Sequence, residues 1–265
     1  MKHNRLIKEI KIGVVVLTSF LLFSCMPRID VNQPLELVWD KNGKKNHDLI
    51  IFLPGLYDVA EKFKKEHFFR IARNTGIKAD MVAASVHLNH LLKKKMIKRL
   101  EKDLFQPALN KGYKNIWFVG VSLGGLNSLL FYQKHSKNIC GVVLLAPYLG
   151  DKVISKAIEN AGGIDNWQPD QFDKTEDIKN KNLVDLRVQY LWQWIKKLNN
   201  KNISQLYLGY GNNDRYAKAH KLFAKFLAEK NVIEIQGQHN WKTGQKIWQQ
   251  QLSTRDKSGL LKSCN

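Results

Sequence analysis

Apolar runs and amphipathic segments alternate along most of the chain. Residues 48–53 (DLIIFL) are apolar almost throughout, a pattern typical of a strand that is buried on both faces. In segments such as 93–111, apolar residues recur every three or four positions and predict helices. The predicted strands cover residues 35–40, 48–53, 80–86, 115–119, 140–145, 205–209 and 232–235. The predicted helices cover residues 59–74, 93–111, 123–135, 216–228 and 242–252, with a kink or break at Pro107.

This alternation predicts the fold class. Strands followed by helices of about 10–15 residues are typical of an α/β fold, with a mostly parallel central sheet and helices on both faces. Residues 148–200 interrupt the alternation and end in a helix with its own apolar stripe, so we predict a small helical insertion there. Its large aromatic residues either pack in the core or line a ligand pocket. They are Trp167, Tyr190, Trp192 and Trp194.

The composition supports one globular domain. The chain has 265 residues, of which 44% are hydrophobic and 25% are charged, and this is enough apolar material for one sizeable core. Three cysteines are too few for a disulfide scaffold. Cys140 falls in an apolar run and is interpreted as a small buried residue, whereas the sequence leaves open whether Cys140 and Cys264 pair.

The net charge of +20 is the unusual quantity of the composition. Only eight of the 43 basic residues are arginine, and the lysines are scattered along the chain rather than gathered into one patch. Because arginine is the preferred reader of bases and phosphates, we expect no nucleic-acid partner. A solvated, lysine-rich surface is the simplest interpretation, and a surface adapted to anionic lipid is the alternative.

The first 25 residues have the composition of an export signal. Basic residues dominate positions 2–11, and a mostly apolar run of 12 residues follows at positions 12–23. As a helix that run would span about 18 Å, well short of the ~30 Å hydrocarbon core of a bilayer. The segment ends in LFSC at residues 22–25, which resembles the signal of bacterial lipoproteins.

The lipoprotein resemblance implies that residues 1–24 are removed and that Cys25 carries a diacylglycerol. Residues 25–265 would then be held through Cys25 in a membrane of the bacterial cell envelope, facing away from the cytoplasm. In a Gram-negative host, Met26 after the cysteine implies the outer membrane. An ordinary cleaved signal peptide and an uncleaved anchor are the alternatives.

The candidate chemistry begins at the fourth predicted strand. Strand 115–119 runs into GVSLGG at residues 120–125, and a helix follows. A G-x-S-x-G motif between a strand and a helix is the pattern of a nucleophile elbow, in which a strained turn exposes the serine hydroxyl above the sheet. The small residues on either side let the strand and the helix approach closely. Ser122 is therefore the candidate nucleophile.

A serine nucleophile needs a base, and the base needs a carboxylate that orients it. His239 follows strand 232–235, at the edge where open α/β sheets bind ligands, and is the candidate base. Asp214 follows strand 205–209 and is the candidate acid, with a helix N-cap as its alternative role. The other histidines after the serine fall on predicted helices, where a solvated side chain is the simpler interpretation. They are His135 and His220.

Two backbone N–H groups beside the nucleophile would complete the site by binding an oxyanion. The residue after the nucleophile supplies the first of them, and this is Leu123. The loop after an early strand supplies the second, so Leu56 in the sequence Pro54-Gly55-Leu56 is the candidate donor. Asp58 precedes the next predicted helix and is interpreted as its cap.

Four motifs together resemble the α/β-hydrolase superfamily, in its serine esterase and lipase branch. They are PGLYD at 54–58, GVSLGG at 120–125, GYGNNDR at 209–215 and GQHNW at 237–241. The resemblance covers about residues 48–252 and departs at 54–55, where the frequent His-Gly pair is Pro-Gly. It implies Ser122 as nucleophile, Asp214 as acid and His239 as base. It also implies that the insertion at 148–200 is a lid.

The expected function is hydrolysis of carboxylic esters, on a small-molecule or lipid substrate, through an acyl-enzyme and without a cofactor or metal. The same triad serves thioesterases, peptidases and acyltransferases, and neither fold nor motif separates these activities. A non-catalytic protein of the same fold that binds a membrane surface is an alternative of a different class. An intact triad argues against that alternative, because binding alone needs none of the three residues.

Overall fold

The computed structural model describes residues 30–43, 46–169, 183–198 and 203–255. The predicted signal peptide and Cys25 lie outside these residues, and so does Cys264. From Val31 onward the described residues belong to one compact unit. No helix among them is long and apolar enough to cross a membrane.

The apolar runs form the strands of one sheet. The strands in the described residues are β1 (Leu37–Asp40), β2 (Asp48–Leu53), β3 (Asp80–Ala84), β4 (Asn115–Val121), β5 (Gly141–Leu145), β6 (Leu206–Gly211) and β7 (Val232–Ile235). They lie side by side in the order β1-β3-β2-β4-β5-β6-β7. β1 is an antiparallel edge strand, and every other pairing is parallel. The sheet confirms the predicted fold class.

Helices connect the strands and cover both faces of the sheet. In chain order they are α1 (Glu61–Lys65), α2 (Phe68–Asn74), α3 (Leu88–Leu92), α4 (Met96–Leu100), α5 (Gln106–Asn110), α6 (Leu123–His135), α7 (Lys152–Asn160), α8 (Leu183–Ile195), α9 (Ala217–Ala224) and α10 (Trp241–Arg255). Short 3₁₀ turns lie at Ser136–Asn138 and Glu229–Asn231.

Strand β2 shows why the sheet lies in the middle of the fold. Successive side chains of a strand point to opposite faces. Leu49 and Ile51 belong to a core shared with α6 and α8, whereas Ile50 and Phe52 belong to a second core shared with α1, α2 and α10. All four side chains are fully buried. One continuous apolar run therefore contributes to two cores, as its sequence predicted.

Two long predicted helices are each divided. The segment predicted as one helix at 93–111 consists of α4, a π-helical turn at Glu101–Phe105, and α5. Pro107 has no N–H to donate to the preceding turn, so the regular bonding is interrupted and the helix widens there. The segment predicted as a helix at 59–74 divides at His67, whose φ of 60° is left-handed.

The predicted insertion holds α7 and α8 between β5 and β6. Trp167 and Trp192 are buried, and the indole N–H of Trp192 donates to the Leu149 carbonyl at 2.9 Å. Trp194 packs against the same core. These tryptophans therefore follow the packing interpretation, whereas Tyr190 is exposed to solvent.

Cys140 lies immediately before β5 and is buried, as predicted, but it is also disulfide-bonded. The other two cysteines of the chain, Cys25 and Cys264, lie outside the described residues. Disulfides persist in oxidising compartments such as the periplasm and the cell surface. The predicted burial of Cys140 is confirmed, and its disulfide answers part of the question that the sequence left open.

Candidate active site

Ser122 lies at the sharp turn between β4 and α6. Its backbone angles, φ 52° and ψ −114°, are strained for a residue with a side chain. Several backbone bonds hold the turn: the Ser122 N–H donates to the Leu145 carbonyl at 3.0 Å, and the Ser122 carbonyl accepts the Tyr148 N–H at 2.8 Å. The strain is thus stabilised by the adjacent strand β5 and the loop that follows it.

The glycines of the GVSLGG motif are required by close backbone contact. A Cβ atom on Gly120 would collide with the backbone of Gly124 on the next turn. A Cβ atom on Gly124 would collide with the Leu53 carbonyl at the end of β2. Only glycine lets α6 approach the sheet this closely, and the approach holds the serine above the strand ends.

The three predicted polar side chains meet at this edge of the sheet. His239 Nε2 lies 2.9 Å from Ser122 Oγ, and His239 Nδ1 lies 2.7 Å from Asp214 Oδ2. The Asp214 side chain is fully buried, and that of His239 is 15% exposed. The residues come from three loops, which follow β4, β6 and β7, and they form one continuous hydrogen-bonded row.

The loops that follow β6 and β7 bond directly to each other. The Asn213 N–H donates to the Gly237 carbonyl at 3.0 Å, and the Gly237 N–H donates to Asn212 Oδ1 at 3.3 Å. A Cβ atom on Gly211 would collide with the Gly237 backbone, so the two loops lie in direct contact. These contacts fix the separation of Asp214 and His239.

Asp214 is held as a carboxylate by its partners. Burial raises the pKa of Asp214, but the bonds from His239 and from the Tyr216 N–H outweigh burial and lower the pKa below its ordinary value. The Tyr216 N–H donates to Asp214 Oδ1 at 2.8 Å, just ahead of α9. The residue at the N-cap of α9 is Tyr216, and no side chain caps that helix, so the N-cap alternative for Asp214 is wrong.

The two candidate oxyanion donors belong to segments that adjoin the serine. Leu123 is the first residue of α6, where backbone N–H groups have no partner inside the helix. Leu56 lies in a turn closed by the Asp58 N–H, which donates to the Gly55 carbonyl at 3.2 Å. A Cβ atom built on Gly55 would lie 3.6 Å from Ser122 Cβ, so this turn is in contact with the nucleophile elbow.

Asp58 departs from its predicted role as a helix cap. The residue at the N-cap of α1 is Ala60, and no side chain caps that helix. Instead Asp58 Oδ2 accepts a hydrogen bond from the indole N–H of Trp241 at 3.3 Å. Burial raises the pKa of Asp58, while the Trp241 bond and nearby Lys62 oppose the rise.

His220 also departs from its prediction, since it is completely buried rather than solvated. Its Nε2 atom lies 2.8 Å from the Pro147 carbonyl, and Nδ1 has no hydrogen-bond partner in the described part of the chain. Burial lowers the pKa of His220 to about 4, so the ring is neutral at pH 7. His135 is partly buried and lies 2.7 Å from Glu101, remote from the site.

Two tyrosines beside the histidine were not predicted as part of the site. The Tyr216 ring lies edge-on to the His239 ring at 5.1 Å, and the Tyr148 ring lies edge-on to Tyr216 at 5.2 Å. Tyr148 O–H donates to Asp185 on the insertion at 3.4 Å. Tyr216 directly follows the GYGNNDR motif, which could have indicated it, whereas Tyr148 lies next to none of the site motifs.

The sequence and the sheet together identify the family. The family model described as "alpha/beta hydrolase fold" matches residues 108–261, more than half of the chain. The chain therefore belongs to the α/β-hydrolase fold family. No cluster of side chains suited to a metal ion occurs within the described residues.

Solved structures with the same fold include several hydrolases. Est1E from Butyrivibrio proteoclasticus aligns with a TM-score of 0.54 at 17% identity, over 83% of this chain and 91% of that one. S-formylglutathione hydrolase from Staphylococcus aureus aligns with a TM-score of 0.59 at 13% identity, over 83% and 92%. The monoacylglycerol lipase of Paleococcus ferrophilus aligns with a TM-score of 0.51 at 14% identity, over 83% and 99%. No curated protein matches the sequence.

Proposed function

We propose that this protein is a serine hydrolase that cleaves carboxylic esters through an acyl-enzyme. The observation that carries the proposal is the row Ser122–His239–Asp214, with contacts of 2.9 and 2.7 Å, at the carboxyl edge of the parallel sheet. Because the nucleophile, its base and an orienting acid must all lie within hydrogen-bond reach, this is the arrangement that acyl transfer requires.

In the first half of the reaction, Ser122 Oγ attacks the ester carbonyl carbon while His239 Nε2 takes the hydroxyl proton. The carbonyl π electrons move to oxygen, and the resulting oxyanion accepts hydrogen bonds from the N–H groups of Leu56 and Leu123. When the carbonyl reforms, the bond to the alkoxy oxygen breaks, and His239 returns the proton to the leaving alcohol.

In the second half, a water molecule attacks the acyl-Ser122 carbonyl while His239 takes its proton. Collapse of this second tetrahedral intermediate releases the carboxylic acid, and the proton goes back to Ser122 Oγ. Asp214 accepts a hydrogen bond from the Nδ1–H group of His239 throughout, and its lowered pKa keeps it charged to stabilise the imidazolium. Each cycle consumes one ester and one water and leaves the enzyme unchanged.

Ester hydrolysis is supported by structural neighbours that include a ferulic acid esterase and a monoacylglycerol lipase, and another neighbour, an S-formylglutathione hydrolase, keeps thioester hydrolysis as a second candidate. We propose that α7 and α8 form a lid over the site, since Tyr148, which packs on Tyr216 beside His239, contacts Asp185 of α8.

The side chains of Leu56 and Tyr57 are exposed and give the entrance of the site an apolar rim that suits an acyl chain. A merely membrane-binding protein of this fold would have no use for the buried Asp214–His239 contact.

Covalent labelling tests the proposal directly. A fluorophosphonate probe is expected to label the folded wild-type protein at Ser122, because an activated serine attacks phosphorus and expels fluoride. The modified peptide is identified by mass spectrometry. The Ser122→Ala variant and heat-unfolded wild type serve as controls and should take up no label. Equal labelling of Ser122→Ala, or no labelling of the folded wild type, would contradict the proposal.

We further propose that the enzyme is anchored by a lipid on Cys25, in the cell envelope. The export signal at residues 1–24 and the disulfide at Cys140 both suit a compartment outside the cytoplasm. The lysine-rich surface suits a position close to anionic lipid.

Lipid attachment can be measured in a bacterial host fed with a clickable fatty acid. The wild-type protein is expected to incorporate the label and to partition into a detergent phase, because the diacylglycerol carries it there. Cys25→Ser is expected to lose both properties, whereas Cys264→Ser should keep both. A Cys25→Ser variant that still carries the fatty acid would exclude this anchor.

A further inference from the structure

The Asp58 side chain folds back over the turn that carries the candidate oxyanion donor Leu56. Asp58 Oδ2 would lie 3.2 Å from a Cβ atom built on Gly55, so the carboxyl group occupies the space beside that glycine. The same Cβ atom would lie 3.6 Å from Ser122 Cβ and 3.8 Å from the Val121 carbonyl oxygen. The carboxyl group of Asp58 and the nucleophile elbow thus border the same space beside Gly55.

The same turn contains a strained residue that needs support. Tyr57 has a φ of 66°, in the left-handed region that residues with side chains rarely adopt, although its own side chain is 75% exposed. Such backbone strain persists only where neighbouring contacts hold it. Within the turn itself, the hydrogen bond from the Asp58 N–H to the Gly55 carbonyl is one such contact.

The second contact comes from the other side of the site. Trp241 is the first residue of α10, two positions after His239, and its indole N–H donates to Asp58 Oδ2. Its ring is fixed by edge-on contacts with Phe63 at 5.2 Å and Phe68 at 5.4 Å. Trp241 is therefore a rigid donor, held by the core between α1, α2 and α10.

This bond joins the two loops that must act together. Among the described residues, no other hydrogen bond connects residues 54–58 with residues 236–241. The first segment carries Leu56, and the second carries His239. Any change in their separation alters the distance between the base and the oxyanion donor, and misplacement of ~1 Å in an active site can cost about 10²-fold in rate.

We infer that Asp58 and Trp241 are a positioning pair. Their hydrogen bond fixes the turn at residues 54–58, which carries Leu56, relative to the loop at residues 236–241, which carries His239. The inference rests on the proposed function, since it assigns the pair to the same reaction. Neither residue takes part in proton transfer. Burial and the charge of Glu66 raise the pKa of Asp58, while the Trp241 bond and the charge of Lys62 oppose the rise, but the role requires only an acceptor oxygen at the Oδ2 position.

Steady-state kinetics with a short-chain ester, well below the melting temperature, tests the pair. Asp58→Leu and Trp241→Phe should each lower kcat about 10- to 100-fold with little change in KM, because the transition state needs the geometry and substrate binding does not. Asp58→Asn retains an acceptor oxygen and should restore kcat to within a few-fold of wild type. The double variant Asp58→Leu/Trp241→Phe should fall no further than the worse single variant, since both remove the same bond.

Trp248→Phe is the matched control. Trp248 lies on the same helix, is fully buried, and its indole N–H donates to the Phe68 carbonyl at 3.1 Å, away from the loops of the site. This variant should lower the melting temperature and leave kcat unchanged. If Asp58→Leu does not fold, Trp241→Phe, which keeps an aromatic ring in place, decides the question.

The inference is overturned if Trp241→Phe keeps wild-type kcat, if Asp58→Asn is as slow as Asp58→Leu, or if the two single effects add fully. It is also overturned if Trp248→Phe lowers kcat as much as Trp241→Phe does. The Ser122→Ala variant tests the proposed function separately. If the wild-type protein has no turnover, or if Ser122→Ala turns over as fast as wild type, both proposals are wrong. If turnover depends on Ser122 but not on Asp58 or Trp241, only the inference about the positioning pair is wrong.

Discussion

Replacing Ser122 with alanine is expected to lower kcat for ester hydrolysis by about 10⁶-fold, the scale of loss when the nucleophile of a triad is removed. The hydroxyl oxygen is the atom that forms the acyl bond, so no other group of the site can take its place. Binding and the oxyanion donors remain, and they should leave a residual rate above that of water. KM should therefore change much less than kcat.

The fold should survive this change. Within the described residues the Ser122 hydroxyl makes its hydrogen bond with His239, whereas the backbone bonds to Leu145 and Tyr148 do not involve Oγ. Alanine keeps the Cβ atom, so the strain of the turn is unaltered. Circular dichroism and the melting temperature should match those of wild type.

Ser128→Ala is the control for this experiment. Ser128 lies on the same helix, is buried, and its hydroxyl donates to the Gly124 carbonyl at 2.8 Å. Its loss should alter kcat by less than a few-fold. If Ser122→Ala keeps more than a small fraction of wild-type turnover on every ester tested, the nucleophile lies elsewhere and the proposed mechanism is wrong.

The fold and the grouping of the polar residues could be predicted because both depend on local pattern. The run at β2 is apolar at every position but its first, and only a strand buried on both faces needs that pattern. Parallel strands bring their carboxyl ends to one edge, so residues just after β4, β6 and β7 must approach each other. This placed Ser122, Asp214 and His239 together, and their roles in catalysis stay a prediction.

Partners that are distant in the sequence could not be predicted. Asp58 and Trp241 are 183 positions apart, and a local pattern that ends in an aspartate before a helix indicates only a cap. His220 lies on a helix whose polar pattern gave no sign that it faces the core. In both cases the side chain finds its partner through tertiary packing, which local periodicity does not record.

Replacing Asp214 with asparagine is expected to lower kcat by about 10⁴-fold, the second largest effect in this site. The reason lies in the geometry of the carboxylate. Oδ1 accepts the Tyr216 N–H at 2.8 Å, and Oδ2 contacts His239 Nδ1 at 2.7 Å. An asparagine has one oxygen, and the backbone N–H of Tyr216 can be satisfied only by that oxygen.

The amide nitrogen of the variant must then face His239 Nδ1 and donate to it. The proton of the neutral ring is thereby moved to Nε2, which points at Ser122 Oγ and can no longer accept the hydroxyl proton.

Asp80→Asn is the matched control, because Asp80 is equally buried and accepts bonds from Tyr113 and the Asn42 N–H at the opposite end of the sheet. That variant should lose stability and keep its kcat. If Asp214→Asn instead hydrolyses esters at the rate of Asp80→Asn, the carboxylate does not set the histidine tautomer, and the row of three residues is not a catalytic triad.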